Sequence, residues 1–251
     1  PSSEPVESEK NTRTSWSIIK GLILEPSTKA PYMRGSPDVG YRYPELDASD
    51  ITHMVQTCPN LEELRLPVGR SRGRRKECET YTALSKSTNL YSLVLDLHYD
   101  PRRIPVWRVE ITEESVLQEA FINAATDKKL ALGVWDLLSS SSTKNGCRLR
   151  ALRVASLGHE CFVGGERYLL GCLSQSFLVT KEYNSHNPGS PVVIEFGEKA
   201  QEIWRQKLFP EKEECYVFDQ LQNILHSIWP SGPGWDGWML GWTSCPLVTD
   251  E

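Results

Sequence analysis

The sequence predicts an α/β fold in which short parallel strands alternate with helices. The pattern Leu-x-x-Leu-x-Leu occurs at 61–66 and 90–95 and returns with Val in the last place at 149–154. Helical spacings of apolar residues fill the intervals, and the starts of the first two segments are one period apart, within the ~20–29 residues typical of leucine-rich repeats. Because one strand–helix unit cannot bury its apolar face alone, stacked units build a continuous core. We therefore expect a short, irregular leucine-rich repeat solenoid with an atypical carboxyl-terminal cap.

The strand at 61–66 is preceded by a helix and a sharp turn. Apolar residues within 51–55 have the spacing i, i+3, i+4, and Ser49 or Asp50 can cap this helix. Pro59 cannot continue the helix, so the chain turns there and enters the strand. This order of helix, turn and strand is the unit that the repeat multiplies.

The interval between the second and third patterns is about two periods long, but it contains two helical patterns and no clear strand. The repeat is therefore enlarged there rather than duplicated. After the third pattern, 191–196 predicts a fourth repeat strand because it is apolar and β-branched. Further helices are predicted over about 78–86, 113–125, 127–138 and 166–180 and in two pieces of 197–229 broken at Pro210, with an early strand over 15–24 and a long loop over 26–46.

The composition indicates a folded chain. Hydrophobic residues make up 39% and charged residues 24% of 251 residues, which is enough apolar material for a core. Residues 1–14 are polar and predict a flexible amino-terminal segment, 15–210 a leucine-rich-repeat-like domain, and 211–251 a helical and Trp-rich carboxyl-terminal cap. The sequence does not begin with Met, so we expect an upstream segment.

The same composition disfavours several classes of function. The formal charge of −5 gives no general attraction to nucleic acid or anionic membranes. The seven Cys are scattered without a Cys-x-x-Cys pair, which indicates reduced thiols in the cytoplasm or nucleus rather than a disulfide framework or zinc site. No apolar run approaches the ~20 residues of a membrane span. We expect no enzyme activity, no cofactor, no metal and no membrane association.

The repeat strands predict which side chains face a partner. In Leu-x-x-Leu-x-Leu the two close leucines point inward, because side chains alternate across a strand. The residues between and beside them point to the open, concave face, which is small, mixed in charge and uncharged at its centre. The candidate partner-binding residues on this face are Glu63, Arg65, Ser92, Asp96, Arg153 and, continuing the row, Glu195.

The segment Cys-Pro-Asn-Leu-Glu-Glu-Leu-Arg-Leu at 58–66 resembles the leucine-rich repeat portion of F-box proteins. The irregular spacing, the enlarged helical repeat at 121–138 and the Trp-rich carboxyl end are most similar to fungal F-box-like proteins, over roughly 48–200. In that family an amino-terminal F-box binds the adaptor of an SCF ubiquitin ligase, and the repeats capture the substrate. The sequence contains no F-box. The resemblance therefore implies substrate recruitment, with adaptor binding only if an F-box precedes Pro1.

The densest charge cluster, 70–76, offers an alternative function. Its four Arg and one Lys suit a nuclear localisation signal or phosphate contacts. It contains no aromatic residue for base stacking and is followed by Glu77 and Glu79. We interpret it as a solvated loop, and a nuclear or nucleic-acid-associated scaffold is the alternative.

Three other clusters carry weaker signals. The ligand types at 159–161 (His-Glu-Cys) are adjacent and have no second cluster at metal spacing, and a nucleophile at Cys161 or Cys172 lacks a supporting motif. The glycines at 164–165 are interpreted as a plain helix start. Trp235, Trp238 and Trp242 share one helical face and are interpreted as a cover for the end of the solenoid. The sequence thus predicts a non-enzymatic scaffold for protein–protein interaction.

Overall fold

The computed structural model describes residues 18–24, 46–99, 114–140, 148–157, 164–181, 190–197, 216–230, 238 and 241–249. These residues form one sheet with helices packed on it. The strands are β1 (Gly21–Ile23), β2 (Glu63–Gly69), β3 (Ser92–His98), β4 (Ala151–Leu157), β5 (Ser176–Lys181) and β6 (Pro191–Phe196). The helices are α1 (Ala48–Thr57), α2 (Arg75–Leu84), α3 (Glu114–Ala124), α4 (Lys128–Ser140), α5 (Gly164–Leu173) and α6 (Tyr216–Ile228).

The strands lie side by side in chain order in a six-stranded sheet. β1 to β4 are parallel, whereas β5 runs antiparallel to β4 and β6 antiparallel to β5. The α/β class is confirmed. The expectation that all strands are parallel is wrong, because β5, which was predicted as helix, runs antiparallel to both of its neighbours. The predicted fourth repeat strand, 191–196, runs in the direction of β4 but pairs with β5 instead.

The leucine pattern sets the register of the parallel strands. Leu64, Leu93 and Leu152 are aligned across β2, β3 and β4, and all three are buried. The next inward row is Leu66, Leu95 and Val154, also buried. The first leucine of each pattern is likewise buried below the start of its strand. The inward leucines of the three patterns are therefore confirmed as core residues.

Each parallel strand starts in the same way. The carbonyls of Lys20, Glu62 and Tyr91 each accept two successive amides of the next strand, at 2.7–3.1 Å. Asn89 Nδ2 also donates to the Pro59 carbonyl at 2.8 Å, which ties the start of β3 to the turn before β2. The repetition of these bonds fixes the strands in one stagger.

The predicted helix over 166–180 is correct only in its first half. α5 ends at Leu173, and β5 begins at Ser176. Phe177 continues the helical spacing of the preceding leucines, but Phe177 and Val179 alternate with more exposed residues, which is the period of a strand. The cap of α1 also differs from the prediction, since Asp47 accepts the amides of Ser49 and Asp50.

The helices bury two apolar clusters. The first lies between the sheet and α1, α2 and α4, and the second joins α3, α5 and α6 with Trp229 and Trp238. The predicted helices 113–125 and 127–138 are confirmed as α3 and α4, whereas the predicted break at Pro210 lies outside the described residues. Among the helices that the structure describes, none has the length and apolarity to cross a membrane.

The last described residues, 242–249, form a segment that we call the C-terminal strap. The Trp229 indole donates to the Thr243 carbonyl at 3.0 Å, and Ser244 Oγ lies 2.6 Å from Asp127 Oδ1, before α4. Leu247 packs on the first cluster. The strap therefore contacts both clusters.

Candidate functional site

One face of the sheet is turned away from the helices, and we call it the open face. Register partners share a face, so a row of side chains crosses all six strands. That row consists of Ile23, Arg65, Val94, Arg153, Leu178 and Ile194. A parallel row consists of Gly21, Glu63, Ser92, Ala151, Thr180 and Val192.

The half of this face on β2 and β3 is polar, and its charges are bonded within the chain. Arg65 Nε lies 2.7 Å from Asp96 Oδ2, and the Asp96 side chain is only 1% exposed. The Tyr91 hydroxyl donates to the Glu63 carboxylate, and this hydrogen bond raises the pKa of the Tyr91 phenol. The Asp96 carboxylate, predicted as a contact residue, is therefore buried against Arg65 in this structure rather than exposed on the open face.

The half on β4, β5 and β6 is apolar with one cation. Ile194 is 46% and Phe196 43% exposed, and Leu178 lies half-buried beside Arg153. The Arg153 guanidinium carbon lies 5.9 Å from the centre of the Phe196 ring, within the range of a cation–π contact. Among the described residues, Arg153 has no carboxylate within ion-pair distance. We call Arg153, Leu178, Ile194 and Phe196 the β4–β6 patch.

Glu195 does not continue the row, and its predicted position is wrong. It is the register partner of the buried Phe177 and therefore points to the helix side of the sheet. There it lines a cavity of about 380 Å³ together with Lys128, Val193 and Trp242. Ile194 occupies the place in the row that was expected for Glu195, because β5 lies between β4 and β6 and its pairing sets the register.

The basic run 70–76 is folded inward at its start rather than being wholly solvated. Arg70 Nε lies 2.9 Å from Glu77 Oε1, a charge contact without hydrogen-bond alignment, and both side chains are fully buried. The amides of Ser71 and Gly73 donate to Glu77 Oε2 at 2.8 and 3.0 Å. We call this loop with Glu77 the Glu77 loop. The Glu77 carboxylate thus occupies the position at Arg70 and the loop amides where the sequence suggested that a phosphate from outside the chain could bind.

The Glu77 loop is held by distant segments as well. The Arg72 amide donates to Asn123 Oδ1 at 2.7 Å, and the Gly73 carbonyl accepts the Val248 amide of the C-terminal strap at 2.8 Å. Arg72 and Gly73 both have positive φ, 60° and 68°. The exposed cations that remain are at 74–76, and one of them, Arg75, lies 2.8 Å from Glu79.

The described residues contain no group of three metal-ligating side chains. Burial is the largest cause that raises the pKa of the thiols of Cys58, Cys78 and Cys245, which disfavours the nucleophilic thiolate. Cys172 is buried, and the pattern at 159–161 lies outside the described residues.

Tyr81→Phe should make the loss of stability at alkaline pH less steep. The Tyr81 phenol is buried and donates to Glu77 Oε1 at 3.0 Å. Its burial, and secondly the negative charge of Glu77, raise the pKa of this phenol well above its ordinary value. Since this pKa is higher in the folded state, the stabilising contribution is complete below the unfolded pKa of about 10 and is lost as the pH rises above it, by up to ~1.4 kcal/mol per pH unit. Denaturant unfolding between about pH 9 and 11 measures how steeply the free energy of unfolding falls with pH in the unmodified chain and in Tyr81→Phe. Equal slopes would contradict this assignment.

Comparisons of the chain with protein-family models, with curated proteins and with solved structures find no match.

Proposed function

We propose that this chain is a non-enzymatic scaffold that recognises a partner protein through the β4–β6 patch. The observation that carries the proposal is the exposure of Ile194 and Phe196 beside Arg153, which has no carboxylate within ion-pair distance among the described residues. Exposed apolar clusters mark contact sites, and Arg and aromatic residues are enriched in interfaces. Of the sequence-predicted contact residues, Arg153 is the one within this patch, whereas Glu63, Arg65 and Ser92 lie on the adjoining polar half.

The repeat architecture belongs to the same proposal. The parallel strands β1 to β4, with their common stagger, represent a short leucine-rich repeat solenoid, and the antiparallel pair β5–β6 extends it. Solenoids of this kind present a continuous sheet face to their partners. The partner therefore lies across the open face rather than in an enclosed pocket.

The family resemblance adds a cellular role to this proposal. By that resemblance the chain recruits a protein for ubiquitylation in the cytoplasm or nucleus, and the ligase adaptor is a partner only if an F-box precedes Pro1. A form of the protein that includes any upstream sequence should then capture the adaptor. Failure of that capture would remove the ligase role and leave the recognition role intact.

The geometry of the Glu77 loop favours this function over the nucleic-acid alternative. Arg70 is committed to Glu77, and Arg75 is paired with Glu79. Nucleic-acid binding relies on several cations that can each reach a phosphate. If charge removal at Arg74 and Lys76 abolished salt-sensitive binding to nucleic acid, the alternative would replace the proposal.

Phe196→Asp should reduce recovery of the partner in affinity capture by about tenfold or more, because it places an unpaired charge at an apolar contact. Arg153→Glu should lower it by a similar factor. The matched control is Glu119→Arg on the exposed surface of α3, which should leave recovery unchanged. Quantitative mass spectrometry of the captured proteins measures all three. Equal recovery by all variants would remove the β4–β6 patch from the proposal.

A further inference from the structure

β6 is an edge strand, and its outer side borders no other described strand. It begins at Pro191 and ends before Gly197, which has φ 94° and open space around the position of a Cβ. The opposite edge, β1, has only three residues. Natural edge strands are blunted by short length, charge or proline, because their free N–H and C=O groups pair readily with another chain. β6 carries one charge and exposes two large apolar side chains.

We propose that β6 accepts an extended, acid-bearing segment of a partner protein as an additional strand of the sheet. This inference rests on the proposed function, since it states how the partner occupies the β4–β6 patch. In strand addition, main-chain hydrogen bonds supply affinity, and contacts to alternate side chains supply specificity. Both faces of the sheet beside β6 offer such contacts.

On the open face, the contact is apolar with a positive charge. Side chains of the added strand lie ~5 Å from those of β6 and so contact Ile194 and Phe196. The Arg153 guanidinium lies over the Phe196 ring, so the positive charge of this β4 residue lies beside the edge strand β6. A carboxylate of the added segment would neutralise it. An Arg held on an aromatic ring is preorganised for such a partner, which reduces the entropy lost on binding.

On the helix side, the intervening side chains of the added strand meet the cavity of about 380 Å³. Val193 and Trp242 provide its apolar lining, and the exposed Lys128 stands at its margin. The carboxylate of Asp127 in the same lining is engaged by Ser244 and by the Leu130 amide. Because Glu195 also lines the cavity beside Lys128, the helix side adds apolar contacts, and the preference for an acid comes from Arg153 on the open face.

A second copy of this chain fits the edge less well. If two β6 strands paired, each would offer the other Val192, Ile194 and Phe196 on the open face. The one carboxylate of β6, on Glu195, lies on the opposite face from Arg153. Self-pairing would thus leave both Arg153 charges without a counter-ion, whereas an acid-bearing partner segment neutralises them.

The test uses random peptides of about twelve residues, which span ~40 Å when extended, displayed on phage and selected on the full chain. Selected peptides are synthesised with N-methyl groups at successive single backbone positions, and their affinities are measured by calorimetry. Because alternate amides of a strand point to one edge, N-methylation should lower affinity about tenfold or more at every second position and little at those between. Arg153→Glu should lower the affinity for acid-bearing peptides about tenfold. Exchange of the peptide acid for Lys should restore the affinity for the Arg153→Glu variant.

The outcomes separate the two proposals. Binding that depends on Phe196 and Arg153 but tolerates N-methylation at every position refutes strand addition and leaves patch recognition standing. A selection that returns no peptide dependent on Phe196 refutes both. A dimer in sedimentation that Phe196→Asp dissolves and that excludes the peptides would assign the edge to a second copy and also overturn the inference. Glu119→Arg is the control, and thermal unfolding of each variant shows that the fold is retained.

Discussion

Glu77→Ala should lower the free energy of unfolding by about 3–5 kcal/mol, the cost typical of removing one partner of a buried ion pair. The Arg70 guanidinium is fully buried against Glu77 and would be left without a counter-charge. The amides of Ser71 and Gly73 would lose their shared acceptor, and the Glu77 loop would lose the group around which it folds. Denaturant unfolding at neutral pH measures the change.

The matched control is Glu79→Ala, two residues along the same helix. Glu79 pairs with Arg75 at 2.8 Å, but both side chains are exposed, so the expected change is within ~0.5 kcal/mol. Glu77→Gln keeps an acceptor for the two amides, and combining it with Arg70→Met removes the uncompensated charge. The double variant should therefore be more stable than Glu77→Gln alone. If Glu77→Ala behaved like Glu79→Ala, the buried pair would not hold the loop.

The inward half of the repeat could be predicted from the sequence because it depends on local periodicity. Leucines at two alternate positions define the buried face of each strand, and the same spacing in the next unit aligns the strands. The register of Leu64, Leu93 and Leu152 follows from this pattern alone. Helices α3 and α4 were predictable for the same reason, since each carries a continuous apolar face.

The β4–β6 patch could not be found in this way. A short apolar run after a helix satisfies both the helical and the strand period, so 176–180 falls within the helix predicted over 166–180. Without β5, the sequence predicts that 191–196 pairs directly with β4 and that Glu195 faces outward, whereas the strand pairs with β5 and Ile194 faces outward. The direction of a strand depends on where the preceding segment ends in space, which periodicity does not encode.

Prediction of the polar half of the open face requires the strand register as well as the leucine pattern. Arg65 lies opposite Val94, and Asp96 lies opposite Pro67, so the Arg65–Asp96 pair is diagonal. Each residue looks like a free charge when its own strand is considered alone. The cross-strand register shows that these two side chains pair with each other. Among the described residues, Arg153 is the Arg of the open face without a carboxylate in ion-pair distance.

The basic run shows a different limit. The acid at Glu77, in the first turn of α2, and Tyr81 one turn later are visible in the sequence. The contacts that make Arg70 an interior residue come from far along the chain, from Ala125, and the loop is fixed by Asn123 and Val248. Charge density alone therefore predicts solvation, and only the tertiary fold turns the first Arg inward.

Gly73→Ala should destabilise the fold by about 3 kcal/mol, because strain and a steric clash add at one position. Gly73 has φ 68°, a conformation that L side chains rarely adopt, and an added Cβ would lie 2.3 Å from the Pro246 carbonyl oxygen. The backbone of the C-terminal strap would have to move away. That movement would break the 2.8 Å bond from the Val248 amide to the Gly73 carbonyl. Denaturant unfolding measures the loss, and hydrogen exchange at Val248 reports the displaced strap.

Gly197→Ala separates the strain from the clash. Gly197 has φ 94°, but nothing lies within 4 Å of its Cβ position, so we expect a change of only ~1 kcal/mol. Gly21→Ala, with open space and no positive φ, should have little effect. If Gly73→Ala matched Gly197→Ala and left exchange at Val248 unchanged, the strap would not be clamped on the Glu77 loop. A larger loss with faster exchange means that the carboxyl end holds the loop, and through it the buried Arg70–Glu77 pair.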